Sequence, residues 1–191
     1  MKNFSKTILL ASNSPRRHEL LRQAGLGFTV VQNLMEETFP QDMPPEEVPR
    51  YLAEQKAEFN KEILEGDEIL ITADTIVKLN DQILGKPNST PEATELLKSL
   101  SGKWHEVITG VCLLSRTLQV SFSETTRVKF RNITEEEIDY YVRNYMPYDK
   151  AGAYGIQEWI GLIGIDRIEG SYFNVVGLPI NRVWYELQQF H

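Results

Sequence analysis

Thiol and imidazole side chains are scarce in this chain of 191 residues, which has one cysteine and three histidines. A lone cysteine excludes an internal disulfide and favours a reducing compartment, so we expect a cytoplasmic protein. The same scarcity argues against a zinc cluster. We expect Cys112 to be an inert core residue in an apolar strand and His18 to lie on a helix surface. No apolar run approaches the roughly 20 residues that span a bilayer, so neither a membrane segment nor a targeting segment is expected.

Positive charge is also in deficit, because 20 Lys and Arg face 27 Asp and Glu and the formal net charge is -7. Such a chain has no general electrostatic attraction for DNA or RNA, so we expect no nucleic-acid partner. A local group of cations can still bind a small anion. The P-loop motif and the dinucleotide fingerprint are both absent, so a nucleotide site would have to be built in another way.

Length and composition are those of an ordinary globular protein, with 41% hydrophobic and 25% charged residues, and predict one domain over residues 1–191. Short apolar runs interleave with helical stripes, and hairpins are predicted near Asn80 and Ser115. This order indicates an α/β fold with a mixed sheet flanked by helices. We also expect two lobes with a central cleft, one lobe being formed largely by the second half of the chain.

The residue pattern predicts strands over 7–11, 28–31, 68–73, 75–79, 82–84, 105–115 and 118–131, with further short strands in 150–177. Helices are predicted to begin at Pro15, near residue 49, at Thr90, after Thr134 and near residue 179. Thr134 and Glu137 have the spacing of a capping box. In the second helix, Leu52, Phe59 and Ile63 form an apolar stripe that also contains Lys56.

The first candidate site is the run Ser12-Asn13-Ser14-Pro15-Arg16-Arg17, which follows a strand and opens a helix. Free N–H groups and the helix dipole favour an anion at such a position. Two arginines in the first turn oppose that dipole unless an anion lies between them, and their guanidinium groups match phosphate oxygens. A pair of solvated surface arginines is the alternative, but the strand-loop-helix placement favours a phosphate site.

The second candidate is Asp74, which follows the apolar run 69–73. Ligands of α/β sheets bind at the carboxyl ends of strands, and a carboxylate there can hold a divalent cation or accept a proton from water. The alternative is an aspartate that caps the next turn.

Three further residues are weaker candidates, because an ordinary structural role is the favoured interpretation of each when it is taken alone. Lys56 interrupts an apolar stripe, where a charge needs a partner unless the side chain extends to solvent. Lys86 lies in Gly85-Lys86-Pro87, which an ordinary loop lysine would also explain. Gln157 ends the small-residue run 151–157 and could bind a base edge, although a packed turn is the favoured interpretation of that run taken alone.

Several motifs together resemble one known family, the Maf family. They are Ser12-x-Ser14-Pro15-Arg16-Arg17, Ala73-Asp74-Thr75-Ile76-Val77, Gly85-Lys86-Pro87, Ser101-Gly102-Lys103 followed by Thr109-Gly110-Val111, Asp149-Lys150-Ala151-Gly152-Ala153-Tyr154-Gly155-Ile156-Gln157, and Gly170-Ser171-Tyr172-Phe173-Asn174-Val175-Val176-Gly177-Leu178-Pro179. Each motif is weak by itself, but six in the family's order across nearly the whole chain are specific.

The resemblance implies a nucleoside triphosphate pyrophosphatase that needs a divalent metal cation, Mg²⁺ or Mn²⁺, and releases a nucleoside monophosphate and pyrophosphate. The segment ending in Gln157 is similar to that of the branch that prefers dTTP and UTP, and such enzymes clear unwanted nucleotides. The family fold is an elongated mixed sheet with two lobes and a central cleft, similar to the ITPase fold, and is often a homodimer.

The resemblance also assigns roles to individual residues. Asp74 would activate the attacking water, and Glu37, or Glu36 beside it, would help Asp74 to bind the metal or orient the water. The phosphates would be held by Ser12, Arg16, Arg17, Lys56 and Lys86, of which the two lysines would also be catalytic, and the base would be read by Arg16, Thr75 and Gln157. The alternative function is a nucleotide-binding regulatory protein linked to cell division, with little turnover.

Overall fold

Seven β-strands form one mixed sheet in this computed structural model, which describes residues 6–190. The strands are β1 (Ile8–Ala11), β2 (Thr29–Val31), β3 (Ile69–Leu79), β4 (Gln82–Leu84), β5 (Trp104–Leu114), β6 (Gln119–Phe130) and β7 (Ile165–Glu169). Their order in the sheet is β2-β1-β3-β5-β6-β7, and β4 pairs with β3 outside this path. Because β1 pairs in parallel with β2 and β3 whereas β4 and β7 pair antiparallel, the predicted α/β fold with a mixed sheet is confirmed.

The α-helices are interleaved with single strands and with strand pairs along the chain. They are α1 (Pro15–Gln23), α2 (Val48–Asn60), α3 (Thr90–Leu100), α4 (Glu135–Tyr145), α5 (Trp159–Gly164), α6 (Tyr172–Val176) and α7 (Ile180–Leu187). The predicted capping box is present, since the Thr134 hydroxyl accepts from the Glu137 amide and the Glu137 carboxylate accepts from the Thr134 amide. None of the helices within residues 6–190 has the length and apolar character needed to cross a membrane.

The chain divides into two compact units, which are described separately. Unit 1 contains residues 6–74, 109–124 and 177–190, and unit 2 contains Thr75–Ile108 and Thr125–Val176. In unit 1, β1 pairs in register with Ile69–Ile71, and the small side chains of α2 pack onto this apolar layer. Cys112 belongs to the same core, where burial raises the pKa of its thiol to about 11, so it is the inert residue that was predicted.

Unit 2 joins the β3–β4 hairpin to α3, α4 and the β6–β7 pair. The rings of His105, Phe130 and Tyr154 pack together with centroid distances of 4.9–5.4 Å. The His105 Nε2 lies 2.7 Å from the Tyr154 hydroxyl, and both side chains are buried. Burial lowers the pKa of His105 to about 4, so the imidazole is neutral in the folded protein at neutral pH.

Three predictions about local structure were wrong. The strand that was expected to end before Asp74 continues through it, so Asp74 lies inside β3 rather than at a strand end. Phe59 is 57% exposed, because the buried face of α2 follows Ala53, Ala57 and Asn60, whose small or polar side chains permit close packing. The region 150–177 holds one strand, β7, in place of several, with two short α-helices and a 3-10 helix around it.

Candidate active site

The loop between β1 and α1 has the predicted strand-loop-helix form. Ser14 is extended at the helix N-cap and Pro15 takes the first helical position. The Ser12 hydroxyl, which is buried, accepts from the Ser14 amide at 3.3 Å. The N-cap side chain makes no capping bond, and no acidic residue occupies the first turn of α1. This end of unit 1 therefore keeps the positive character of a helix N-terminus, as an anion site requires.

Arg17 is a bridging residue and not a solvated surface arginine. Its Nε donates to the Gly177 carbonyl at 2.8 Å, and its Nη1 donates to the Ala73 carbonyl at 2.8 Å and to the Ser12 hydroxyl at 3.3 Å. Burial lowers the pKa of Arg17, the charges of Asp74 and Glu37 oppose that shift, and Arg16 adds to it. Charges influence a pKa in this way only when they are close, so Arg16, Glu37 and Asp74 lie near Arg17 in unit 1.

The cluster of Lys56, Asp74 and Glu37 is the centre of this neighbourhood. The Lys56 ammonium lies 2.6 Å from Asp74 Oδ1 and 2.6 Å from Glu37 Oε1, and 3.4 Å from the Ala73 carbonyl. The side chains of Lys56 and Asp74 are only 4% and 11% exposed, while that of Glu37 is 44% exposed. The charge that interrupts the apolar stripe of α2 is therefore paired rather than extended to solvent, and the partner is Glu37 instead of Glu36.

Asp74 has the environment of a group that can accept a proton. Burial raises the pKa of its carboxyl above the ordinary value, and the charges of Lys56 and Arg17 offset part of that rise. A raised pKa makes the carboxylate a stronger base, and the charges of Lys56 and Arg17 favour its ionised form. Perturbed carboxyl groups of this kind are typical of active sites.

The carboxylates of Asp74 and Glu37 could hold a divalent metal together with phosphate oxygens and water. Asp74 and Glu37 place one carboxylate oxygen each on the same ammonium, so those oxygens are separated by no more than twice 2.6 Å. Mg²⁺ in nucleotide sites is usually held by one or two carboxylates, phosphate oxygens and water. Among residues 6–190 no group of three or more His, Cys, Asp and Glu side chains is arranged for a metal, so an all-protein cage is not formed there.

The remaining predicted residues, Thr75, Lys86 and Gln157, belong to unit 2. Thr75 follows Asp74 in β3 and is half-buried, whereas Lys86 is exposed in the loop after β4. The Gly85 carbonyl in that loop accepts from the Gly152 amide at 3.0 Å. This bond joins the Lys86 loop to the run that precedes Gln157, which is itself exposed.

Sequence reasoning missed the role of His18. The residue was expected on a helix surface, but it is half-buried and its Nε2 lies 2.7 Å from the Ser12 carbonyl. His18 therefore helps to fix the loop that carries Ser12. A single histidine on an amphipathic helix gives no pattern from which such a contact to a loop carbonyl could be predicted.

Comparisons with known proteins identify a family and several relatives of this chain. Residues 7–190 match the family described as "Maf-like protein". A dTTP/UTP pyrophosphatase from Phocaeicola vulgatus is 51% identical over an alignment of 192 residues that covers 99% of this chain and 99% of that protein. One from Bacteroides thetaiotaomicron is 50% identical over 184 residues, 95% of each chain. Among solved structures, the Staphylococcus aureus Ham1 protein has a TM-score of 0.47 at 16% identity, covering 65% of this chain and 72% of that one.

The family match runs from the first strand to the last helix of the described residues, and it includes every residue of the Lys56, Asp74 and Glu37 cluster. The identity to two relatives is spread over nearly the whole length of both partners. On these grounds, this chain belongs to the Maf family.

Proposed function

We propose that this protein hydrolyses nucleoside triphosphates, with dTTP and UTP preferred, to the nucleoside monophosphate and pyrophosphate. The observation that carries the proposal is the buried Asp74 carboxylate held against the Lys56 ammonium and near Arg17. A base and several cations are what cleavage of a polyphosphate requires. The substrate class is supported by the relatives, about half identical, that are named dTTP/UTP pyrophosphatases.

In this proposal Asp74 accepts the proton of the attacking water. Water adds across the anhydride linkage between the α- and β-phosphates, that P–O bond breaks, and pyrophosphate leaves. The cations neutralise the charge that develops on the phosphate oxygens, and they are supplied by Arg16, Arg17, Lys56 and Lys86, with Ser12 as a further phosphate contact. Glu37 and Asp74 would hold the divalent metal, which when bound supplies additional charge neutralisation.

The preference for dTTP and UTP has a simple explanation in the chemistry of Gln157. Thymine and uracil both carry an N3–H donor flanked by carbonyl acceptors, whereas cytosine has an unprotonated N3 and an amino group. A glutamine amide offers one acceptor and two donors, so in one orientation it complements thymine and uracil and in the flipped orientation it complements cytosine. Selection of the first pair of bases therefore requires that the orientation of the Gln157 amide be fixed. We assign base recognition to Gln157, with contributions from Arg16 and Thr75.

The proposal also covers the setting of the activity. The whole chain acts as one domain in the cytoplasm on free nucleotides, and its net charge of -7 disfavours a nucleic-acid partner. We expect a homodimer, which sedimentation equilibrium would detect as twice the 22.0 kDa chain mass. A regulatory protein that only binds nucleotides is not favoured, because the relatives are named for turnover.

The deciding experiment is a turnover panel with pyrophosphate as the readout. We expect multiple turnovers of dTTP and UTP with Mg²⁺ or Mn²⁺, and much slower turnover of dCTP, dGTP and 7-methyl-GTP. Binding of dTTP without pyrophosphate release would overturn the enzymatic proposal. Equal rates on every nucleotide would overturn the pyrimidine preference alone.

The metal assignment has its own matched pair of variants. Glu37→Gln removes a carboxylate that lies 2.6 Å from Lys56, so we expect the metal concentration for half-maximal turnover to rise roughly tenfold. Glu36→Gln removes the same charge from the neighbouring residue and should leave that concentration unchanged. An equal shift in both variants would show a general effect of charge and contradict the assignment.

A further inference from the structure

A second buried lysine organises the segment from Lys150 to Glu158 in unit 2. This segment contains a 3-10 helix over Ala151–Ala153 and a turn in which the Glu158 amide donates to the Gly155 carbonyl at 3.0 Å. Residues 152–156 are buried, whereas Gln157 is exposed. The amide proposed to read the base is thus carried at the end of a run whose other residues are packed inside the protein.

An ion pair between Lys150 and Glu158 joins the two ends of this segment. The Lys150 ammonium lies 3.0 Å from Glu158 Oε1 and 2.7 Å from Asp149 Oδ1. The Lys150 side chain is only 10% exposed, so its charge depends on these two carboxylates. Asp149 is 57% exposed, and solvent weakens its contribution. Glu158 is therefore the partner through which Lys150 can fix the end of the segment.

Tyr141 connects the same carboxylate to the backbone of the segment. The Tyr141 hydroxyl donates to Glu158 Oε2 and accepts from the Gly155 amide at 3.1 Å. Tyr141 is fully buried on α4, so its position is set by packing of that helix. Glu158 thus has one oxygen on Lys150 and the other on Tyr141. Through the Tyr141 hydroxyl, Glu158 is linked to Gly155, and these two residues flank Ile156 and Gln157.

Two glycines allow this close packing. A Cβ on Gly155 would lie 2.8 Å from the Glu158 Cδ, and a Cβ on Gly161 would lie 2.0 Å from the Ile156 carbonyl oxygen. A side chain at position 155 would displace the Glu158 carboxylate, and one at position 161 would displace the Ile156 backbone. The two glycines therefore permit the close approach on which the hydrogen bonds around Gln157 depend.

We propose that Glu158 is a positioning residue for base selection, which holds the Gln157 amide in register through its bonds to Lys150 and Tyr141. The inference rests on the proposed function and names a residue outside the phosphate and base contacts. Discrimination by hydrogen bonds depends on placement, because a displaced amide no longer separates a matched base edge from a mismatched one. Glu158 touches no reacting atom in this scheme and acts only through its neighbour.

The test is the ratio of kcat/KM for dTTP to kcat/KM for dCTP, two substrates that differ at the base edge. Glu158→Gln removes the charge that pairs with Lys150, and we expect the ratio to fall about tenfold. Asp149→Asn neutralises the other partner of Lys150 and should change the ratio less than about twofold, because that carboxylate is solvated. Since the ratio is taken on one enzyme sample, it does not depend on the folded fraction.

A second variant, Tyr141→Phe, protects the test against a folding defect in Glu158→Gln. It removes the hydroxyl between Gly155 and Glu158, and we expect a fall of the ratio in the same direction. Combined with Gln157→Ala, neither variant should lower the ratio further, because the group being positioned is already gone. Additive losses would show that Glu158 acts elsewhere and would overturn the inference.

The outcomes separate this inference from the proposed function. A wild-type protein that releases no pyrophosphate from dTTP, or that does so equally from dCTP, contradicts the proposed function. A selective wild-type enzyme whose ratio survives both Glu158→Gln and Tyr141→Phe contradicts only the positioning role. A ratio that falls in both variants and not in Asp149→Asn supports it.

Discussion

Each unit of this protein contains a buried lysine between two carboxylates, and the two clusters differ in what surrounds them. In unit 1, Lys56 pairs with Asp74 and Glu37, and burial leaves Asp74 with a raised pKa. In unit 2, the Lys150 partner Glu158 also accepts from a tyrosine hydroxyl. With the roles proposed for Asp74 and Glu158, a buried ion pair would serve catalysis in one unit and positioning in the other. A general base needs a carboxylate oxygen that is available to accept a proton. In a structural ion pair, both carboxylate oxygens accept hydrogen bonds from donors that are fixed in place.

The two clusters should differ most in activity when the carboxylate of Asp74 or of Glu158 is replaced by an amide. Asp74→Asn removes the proposed base while keeping its shape, so we expect kcat for dTTP to fall about 10²–10⁴-fold with unchanged circular dichroism. Glu158→Gln should retain most of the wild-type kcat for dTTP and change base selection instead. Near wild-type turnover in Asp74→Asn would reject the assignment of the base.

The two lysines should differ in the pH dependence of activity. Lys56→Met removes a cation that lowers the pKa of Asp74, so that pKa rises further and the acid limb of kcat/KM moves to higher pH. Turnover at neutral pH should also fall, roughly a hundredfold, through loss of a phosphate contact. A pH-rate profile measures both effects.

Lys150→Met is the matched control for that profile. It leaves Glu158 without its ammonium partner and should lower the midpoint of urea unfolding. The acid limb of kcat/KM should stay in place, because Asp74 keeps both of its cations. If the two lysine variants moved the acid limb equally, the distinction between a catalytic and a structural cluster would fail.

The lowered pKa of His105 should make the stability of the protein, rather than its activity, depend on pH. Its folded pKa of about 4 lies below the ordinary value of 6.5, so acid favours the unfolded chain, which binds the proton first. The contribution of His105 to the free energy of unfolding is fully present above pH 6.5. It is lost as the pH falls towards 4, by about 3 kcal/mol at most. Urea unfolding of His105→Gln at several pH values should show a shallower loss over this range. An unchanged slope would contradict the origin in His105.

The smallest expected difference concerns the helix N-termini. Thr134→Ala removes the hydroxyl that caps α4 and should lower the free energy of unfolding by about 1 kcal/mol. Ser14→Ala changes an N-cap whose side chain makes no capping bond, so only a few tenths of a kcal/mol are expected. Chemical denaturation of the two variants side by side provides the measurement, and equal losses would be the contrary result.

Sequence patterns predicted those parts of the fold that depend on neighbours along the chain. The strands around Leu70 and Cys112 follow from apolar runs, and the start of α4 follows from the spacing of Thr134 and Glu137. Lys56 was identified because a charge in an apolar stripe needs a partner. Each of these inferences uses local chemistry that the folded protein retains.

Long-range contacts explain what the sequence left open or missed. The resemblance assigned Glu37 with Glu36 as the alternative, because the contact with Lys56 depends on which side chain reaches it in the folded unit. The exposure of Phe59 depends on how α2 packs against the core. The Tyr141 bond to Glu158 joins residues 17 positions apart, and neither residue belongs to a periodic pattern. Such contacts become visible only in the tertiary structure.

Arg17 has a consequence for how experiments on this protein are interpreted. Its guanidinium joins a loop near the start of the chain to Gly177, 160 positions away, and to the backbone beside Asp74. In a chain that can form no disulfide, this side chain is a non-covalent cross-link between distant segments. Truncation of Arg17 should therefore lower the proposed activity by loosening the support of β3, which carries Asp74, even in a variant whose phosphate binding was restored by another cation.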